Sequence, residues 1–279
     1  MLLRFSADML QQKGKIMLAL RPIRILSWLF IFGIFFVPLR AQETPLMIGM
    51  ELAYPPFEMI DQEGRPAGIS VEIGYALGRY LNRPVKIENI PFVGLIPALK
   101  TDKIDLIISS MSITKQRSAS IDFSNPYLSV GLCLLVSKNS PLSSIAEGNQ
   151  SKFKFVVKSG TSGEVYARKH LSQAQVVVLD KETSCVMEVV QGKADAFIYD
   201  QLSVFQNWKK NPNTTRALLH PFTQEDWGIG IKKGNTALLE QVNQFLKEFK
   251  KEGGIKKLGR LFLGPQMAAF EEMGIPFFM

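Results

Sequence analysis

Side chains suited to binding a small charged molecule follow short apolar runs at four places in the chain. They are Glu51 and Tyr54; Ser109, Ser110, Met111 and Ser112; Lys158 and Ser162; and Asp200. Arg117 comes three residues after Thr114, at a predicted helix start where free backbone N–H groups favour an anion. An arginine can grip a carboxylate through two parallel hydrogen bonds, a geometry that lysine cannot reproduce. The pattern therefore predicts a binding site for a small polar molecule.

Short strands that alternate with helices must position these side chains. Such a series implies parallel sheets covered by helices on both faces, with ligands bound beyond the carboxyl ends of the strands. The predicted helices are 70–81, a short one near 95–99, 183–191, and a final one whose apolar face runs from Leu238 to Phe249. The predicted strands are 46–50, 85–90, 105–109, 130–136, 153–157, 176–179, 196–199 and 228–231.

Signatures of catalysis and of metal binding are missing from the sequence. There is no Ser-His-Asp order, no Walker loop and no Gly-x-Gly-x-x-Gly run, and we expect no enzyme activity and no cofactor. His170 and His220 have no ligand spacing around them, so we expect no metal. Cys133 lies in an apolar run and Cys185 opens a helical stretch, which favours buried thiols slightly over a disulfide bond.

The composition is that of a folded protein that does not bind nucleic acid. Hydrophobic residues make up 46% of the 279 residues, enough for one large core or two modest ones. The net charge of +8 is concentrated at the start, since residues 1–41 carry six basic side chains and one acidic one. The remainder is only mildly basic and has no basic stripe interleaved with aromatic residues, so a nucleic-acid partner is not expected.

The N-terminal segment has the pattern of an export signal. Arg21 and Arg24 precede a 13-residue apolar run, Ile25–Val37, which suits a signal-peptide core and is short for a membrane span. Ala41 is a small residue at a plausible cleavage point, although Leu39 departs from the Ala-x-Ala pattern. We predict a signal peptide over 1–41 and a periplasmic location. An uncleaved membrane anchor is the alternative.

Five segments in order carry a resemblance to a known family. Together they resemble the polar amino-acid-binding proteins of ABC importers, which include the lysine/arginine/ornithine-, histidine-, glutamine- and arginine-binding proteins. In the second segment Ile69, Ser70 and Glu72 depart from the family pattern Gly-Phe-Asp-x-Asp. The similarity covers roughly residues 45–264. The segments are 48–58, 68–73, 92–99, 103–127 and 192–200.

The resemblance implies an α/β fold of the two-lobed periplasmic-binding-protein type (type II), with a ligand cleft between the lobes. Lobe 1 would comprise residues 45–129 and 229–279, and lobe 2 residues 131–226. Two hinge crossings would lie near Ser129–Gly131 and Trp227–Gly228. Proteins of this type close around their ligand by hinge motion. We expect a monomer that delivers a free amino acid to an ABC permease in the inner membrane.

The resemblance also assigns roles within the cleft. Arg117, the segment Ser110–Ser112 and Ser162 would hold the ligand α-carboxylate, and Lys158 lies in the same group of cleft residues. Asp200 would accept the α-ammonium, with Ser109 in contact with the same end, although an aspartate after a strand is also a common helix cap. Tyr54 and Phe92 would sandwich the ligand side chain.

Glu51 stands where relatives carry an acid that reads the ligand side chain. A carboxylate there favours arginine, then lysine, with glutamine as the alternative. A second alternative is a hydro-lyase similar to cyclohexadienyl dehydratase, which uses the same fold. A third, the sensory module of a receptor or channel, would require a second apolar span, and none follows the binding core before Met279.

Overall fold

Fifteen strands and eight α-helices organise residues 44–277, the part of the chain that the computed structural model describes. The strands are β1 (Leu46–Met50), β2 (Ala53–Tyr54), β3 (Glu58–Ile60), β4 (Pro66–Ala67), β5 (Val85–Asn89), β6 (Leu106–Ile107), β7 (Ile121–Phe123), β8 (Leu128–Val130), β9 (Leu132–Ser137), β10 (Lys154–Lys158), β11 (Gln175–Leu179), β12 (Ala196–Asp200), β13 (Thr215–Leu218), β14 (Glu225–Trp227) and β15 (Gly230–Lys232). The helices are α1 (Ile69–Tyr80), α2 (Phe92–Lys100), α3 (Lys115–Ser118), α4 (Ser162–His170), α5 (Glu182–Val190), α6 (Gln201–Lys210), α7 (Thr236–Lys251) and α8 (Gly254–Glu272).

Two five-stranded sheets form the cores of the two lobes. The first sheet has the order β5-β1-β6-β15-β7 and packs against α1 and α2, with α7 packed on α1; we call this assembly the first lobe. The second sheet has the order β11-β10-β12-β9-β13 and carries α4, α5 and α6, and we call it the second lobe. The predicted α/β class is confirmed.

The sheets are mixed, so the prediction of parallel sheets was wrong. In the first lobe β15 runs antiparallel to both β6 and β7. In the second lobe β9 runs antiparallel to both β12 and β13. The reason is topological: β9 and β15 are the strands by which the chain enters a sheet from the other lobe, and they enter from the opposite direction.

A two-stranded antiparallel sheet of β8 and β14 lies where the chain passes between the lobes. The single strand predicted over 130–136 is divided here, because Gly131 separates β8 from β9. The backbone packs so closely at Gly131 that a Cβ atom would overlap Pro221 and the carbonyl oxygen of Thr223. A side chain at this position would therefore force one of these segments to move.

The helices follow their apolar periodicity. Helix α1 lies within one residue of its prediction and buries Ile73 and Leu77. Helix α7 buries Leu238, Val242 and Phe245, as its apolar face predicted.

A further helix, α8, follows α7, so the prediction that α7 is the last helix was wrong. Its glycines and Pro265 give it a low helix propensity. The packing of Ile255, Leu263 and Phe270 on one buried face overrides that propensity.

Both cysteines are buried free thiols, the state that the sequence favoured. Cys133 packs in the second sheet and Cys185 in α5. None of the helices within residues 44–277 is both long enough and apolar enough to cross a membrane. The predicted signal peptide, residues 1–41, lies outside the described residues.

Candidate functional site

A cleft between the lobes gathers the strand ends that the sequence singled out. In this arrangement of the lobes the free volume of the cleft is about 40 Å³. Ten of the eleven predicted site residues line it, namely Glu51, Tyr54, Phe92, Ser109, Ser110, Ser112, Arg117, Lys158, Ser162 and Asp200. Met111 is not among the lining residues, because its side chain is buried in the core beside Ile107 and Ile121.

Arg117 is a buried cation whose hydrogen-bond partners are neutral. Thr114 caps helix α3 and accepts a hydrogen bond from the Arg117 backbone N–H at 3.2 Å, so the predicted helix start is confirmed. The guanidinium donates to the carbonyl of Ser112 at 2.6 Å and, across the cleft, to that of Gly160 at 2.8 Å. Gly160 presents this carbonyl from a turn with φ of +74°, which favours glycine.

The charge of Arg117 lies in a buried environment. Its side chain is 9% exposed, and burial lowers its pKa to about 10, so it remains charged at neutral pH. Among the ion pairs of residues 44–277, none involves Arg117. Glu225 lies near enough to act on Arg117 electrostatically but forms no ion pair with it. A buried cation with no directly paired counter-ion is costly, and a carboxylate that binds it bidentately would offset that cost.

Asp200 is the acidic counterpart at the end of β12. Its Oδ1 atom accepts hydrogen bonds from the backbone N–H groups of Leu202 and Ser203, at 3.0 and 3.1 Å, and so caps α6. The same atom accepts a hydrogen bond from the Tyr54 hydroxyl of the other lobe at 2.7 Å. Burial raises the pKa of Asp200, while these hydrogen bonds oppose the rise. All three bonds end on Oδ1, which leaves Oδ2 able to accept from an ammonium group.

The serines after β6 organise the cleft wall. Ser109 Oγ accepts from the backbone N–H of Glu51 at 2.9 Å, and Ser112 Oγ donates to Glu225 at 2.7 Å. Ser110 has a φ of 49°, a strained conformation for a residue with a side chain. That conformation directs its hydroxyl to Glu58, to which it donates at 3.0 Å.

The other end of the cleft contains an ion pair between the lobes. Lys158, at the end of β10, donates to the carboxylate of Glu51, which follows β1. The ring of Phe92 lies beside both cleft cations, with its centroid 5.6 Å from Lys158 Nζ and 5.4 Å from Arg117 Cζ. These distances fall within the range of cation–π attraction.

Tyr54 belongs to an aromatic cluster. Its ring stacks on Phe57 at 5.5 Å and meets the edges of Tyr199 and Trp227 at about 6 Å. The cluster fixes the tyrosine hydroxyl against Asp200. One face of Tyr54 is therefore already covered by protein.

Seven further residues line the cleft that the sequence did not place there. Glu225 and Trp227 come from β14, whose sequence has no local motif to distinguish it. Glu58 lies in the first resembling segment, and its complete burial raises its pKa to about 8. The set is Glu58, Val130, Leu132, Thr161, Tyr199, Glu225 and Trp227. Thr161 and Tyr199 are next to predicted site residues in the sequence. Their position near strand ends was therefore the signal that could have identified them as lining residues.

The sequence of these elements matches a family profile. Residues 46–265 match the bacterial extracellular solute-binding proteins, family 3. The chain belongs to that family. This match confirms the resemblance found in the five sequence segments. The matched residues include both five-stranded sheets and the cleft.

Curated relatives of this family 3 protein bind different amino acids. The L-cystine-binding protein TcyJ of Escherichia coli K12 is 28% identical over 220 residues, 78% of this chain and 82% of the relative. The L-arginine-binding protein of Pseudomonas aeruginosa is 31% identical over 231 residues, 80% of this chain and 89% of the relative.

Solved structures share the two-lobed fold, which confirms the predicted fold class. An ancestral arginine-binding protein bound to arginine has a TM-score of 0.74 at 30% identity, covering 80% of this chain and 99% of its own. The ancestral amino acid-binding protein AncCDT-1, a precursor of cyclohexadienyl dehydratase, has a TM-score of 0.71 at 31% identity, covering 78% and 94%. Within residues 44–277 no group of three or more acidic, histidine or cysteine side chains could hold a metal ion.

Proposed function

We propose that this family 3 protein is the substrate-binding component of an ABC importer and that it binds a free amino acid in the cleft. The single observation that carries the proposal is the buried Arg117 guanidinium, whose hydrogen-bond partners are two backbone carbonyls. Its charge calls for a carboxylate, and Asp200 on the opposite wall can accept an ammonium. The relatives named for cystine and arginine binding support this reading.

The closed cleft explains how binding would be coupled to motion. Three contacts join the lobes across it: Arg117 to Gly160, Tyr54 to Asp200 and Lys158 to Glu51. A ligand that bridges both walls would favour closure, since it binds the closed state with more contacts. Two bodies are proposed to move relative to each other. The first comprises residues 45–129 and 229–279, and the second comprises residues 131–226.

The substitution Arg117→Lys tests the carboxylate grip. Lysine keeps the charge but loses the two parallel donors, and we expect a loss of about 2–4 kcal/mol in amino-acid affinity, measured by calorimetry. Arg216→Lys is the matched control, because Arg216 also donates to backbone carbonyls, those of Ser140 and Leu142, away from the cleft. Equal affinity in wild type and Arg117→Lys would remove Arg117 from the site.

Which ligand side chain the cleft prefers is a finer question than whether it binds an amino acid. From the sequence, Glu51 favours arginine as the ligand, then lysine, with glutamine as the alternative, and an arginine-binding relative supports arginine. The ion pair with Lys158 weakens the argument, because Glu51 already has a cationic partner. A cystine-binding relative adds a ligand class that the sequence did not suggest.

Binding without catalysis is the function we propose. The similarity to AncCDT-1, a precursor of cyclohexadienyl dehydratase, brings the enzyme alternative into question, but AncCDT-1 is itself an amino acid-binding protein, which supports binding. Incubation with prephenate or arogenate separates the two, because a dehydratase would generate phenyl-ring absorbance. We expect none.

A periplasmic location and delivery to an inner-membrane permease complete the proposal. The supporting feature is the charged and then apolar segment that ends near Ala41. The intact mass of the exported protein should lack about forty residues. A full-length mass in the membrane fraction would support the anchor instead.

A further inference from the structure

The segment that follows the family match, which ends at residue 265, passes from one lobe to the other. Helix α8 begins on the first lobe, where it packs against α1 and α7. Its last turns reach the second lobe, because the fully buried Phe270 lies against Phe205 of α6, with 4.9 Å between the ring centroids. The segment therefore connects the lobes in addition to the chain crossings at the β8–β14 sheet.

The end of α8 turns the chain back onto this contact. Gly274 has a φ of +64°, and its N–H donates to the carbonyl of Glu271 while the N–H of Ile275 donates to that of Phe270, both at 3.0 Å. These two bonds define a Schellman motif, which ends a helix and commonly brings together an apolar side chain from each side of the turn. Phe270 and Ile275 occupy those two positions and belong to the same hydrophobic cluster. Phe277 then stacks on Phe270, with 4.9 Å between the ring centroids.

The residues after α8 extend the contact along the second lobe as far as the hinge. Met273 and Ile275 line a groove together with residues of β9 and β13. Phe277 lines a smaller cavity at the crossing, together with Leu128 of β8 and Trp227 of β14. One continuous segment is therefore attached to the second lobe and to the hinge, while the start of its helix is attached to the first lobe.

Gly264 and Pro265 lie between the two attachments of α8. Proline has no backbone N–H, so the carbonyl of Leu261 lacks its helical hydrogen bond at this point. A Cβ atom at Gly264 would meet no side chain of another element within 4 Å, so packing does not hold this turn. Sharp bends in helices are found at such residues. This turn is therefore the place where α8 can bend when one lobe moves relative to the other.

We propose that residues 266–277, which we call the strap, restrain the opening of the lobes. The contacts of the strap are made while the cleft is closed and Arg117 reaches Gly160 across it. Rotation of the second lobe away from the first must either separate Phe270 from Phe205 or bend α8, and both cost free energy. The strap thus shifts the ligand-free population toward the closed arrangement. This role goes beyond the proposed function and does not depend on which amino acid binds.

Spin labels across the mouth of the cleft measure the restraint. Ser120 of the first lobe and Lys169 of α4 are exposed and line the groove that surrounds the Arg117–Gly160 contact, so labels at these two positions separate as the cleft opens. The native thiols of the second lobe are buried, and labelling is therefore directed to the introduced cysteines. Pulsed EPR on refolded, ligand-free protein gives the distance distribution.

Two variants remove parts of the strap. Phe270→Ala deletes the ring that contacts Phe205, and we expect the mean distance between the labels to shift outward by several ångströms. A stop after Gly274 removes Ile275 and Phe277 and should shift the distance in the same direction to a smaller extent. It also serves as the test if circular dichroism shows that Phe270→Ala is unfolded.

A third variant should have the opposite effect. Gly264→Ala combined with Pro265→Ala supplies the missing N–H and raises the helix propensity, so the turn resists bending. We expect the distance distribution to shift inward. A distribution equal to that of wild type, or displaced outward, would contradict the restraint.

Phe245→Ala is the matched control for Phe270→Ala. Phe245 is also a buried ring, but its aromatic contacts, Tyr80 and Phe249, lie within the first lobe and α7. The control should lower stability while leaving the distance distribution unchanged.

Two results would overturn the strap. One is a distribution equal to that of wild type in both Phe270→Ala and the shortened chain. The other is an equal outward shift in Phe245→Ala, since general destabilisation would then account for the opening. Either result leaves the proposed function intact, because the affinity of Arg117→Lys tests that function separately.

Discussion

The two ends of the cleft bury charge in different ways. At one end Arg117 and Asp200 are held by neutral groups, backbone carbonyls for the cation and N–H and O–H donors for the anion. At the other end Lys158 and Glu51 neutralise each other. A charge held by neutral dipoles remains available to an opposite charge, whereas a neutralised pair is not. The first end thus keeps two charges that an oppositely charged group can still approach, whereas the charges at the second end already have each other as partners.

The largest expected effect follows from removing charge at the first end. Asp200→Asn keeps an Oδ1 acceptor for the α6 cap and for Tyr54, so the fold should persist. The loss of the counter-charge for the α-ammonium should cost about 2–4 kcal/mol in L-glutamine affinity by calorimetry.

Asp195→Asn is the matched control for Asp200→Asn. Asp195 also accepts hydrogen bonds, from Ser140 Oγ and the backbone N–H of Lys154, but outside the cleft. An Asp200→Asn protein that binds as tightly as wild type would show that Asp200 only caps α6, and the contrast between the two ends would disappear.

A second effect, smaller when counted per pH unit, concerns the pH dependence of stability through Glu58 beside the second end. Its folded pKa of about 8 exceeds the ordinary value of 4.5, so the folded state retains a proton that the unfolded state has lost. This contribution to stability is complete below about pH 4.5 and is lost as the pH rises through about 8. The free energy of unfolding should therefore fall by up to about 1.4 kcal/mol per pH unit between those values because of Glu58. Glu58→Gln should remove this fall.

Urea denaturation at pH 5.5, 6.5 and 7.5 measures the slope. Glu182→Gln is the companion variant, because burial also raises the pKa of Glu182, to about 7, with the same sign. Each variant should remove part of the fall in the free energy of unfolding that the wild type shows as the pH rises. A slope that Glu58→Gln leaves unaltered would mean that this carboxyl is ionised in the folded protein.

The smallest expected effect concerns Phe92, which contacts both ends. Phe92→Leu keeps an apolar side chain but loses the attraction of the ring for Arg117 and Lys158, about 0.5–1 kcal/mol in amino-acid affinity. Phe153→Leu is the control, since Lys152 Nζ lies 4.8 Å from that ring outside the cleft. A loss above a hundredfold in Phe92→Leu would instead make the ring a principal ligand contact.

Much of the fold and most of the candidate cleft followed from local sequence signals. Helical periodicity placed α1 within one residue, and apolar runs located the strands whose ends carry Ser109, Lys158 and Asp200. Strand direction was not predictable in this way, because an apolar run reads the same in a parallel and an antiparallel sheet. Helix α8 was missed because its glycines and Pro265 mask a helix that tertiary packing stabilises.

The sequence by itself determined most of the chemical groups that line the cleft, since most of them stand at or just after the end of a strand. Only the tertiary structure decided which groups meet. Tyr54 reaches Asp200 over 146 residues, and Glu51 meets Lys158 over 107. No local pattern encodes such contacts, because they depend on how the two lobes pack against each other. Glu51 alone therefore suggested a cationic ligand, whereas Glu51 beside a buried lysine presents a neutral pair.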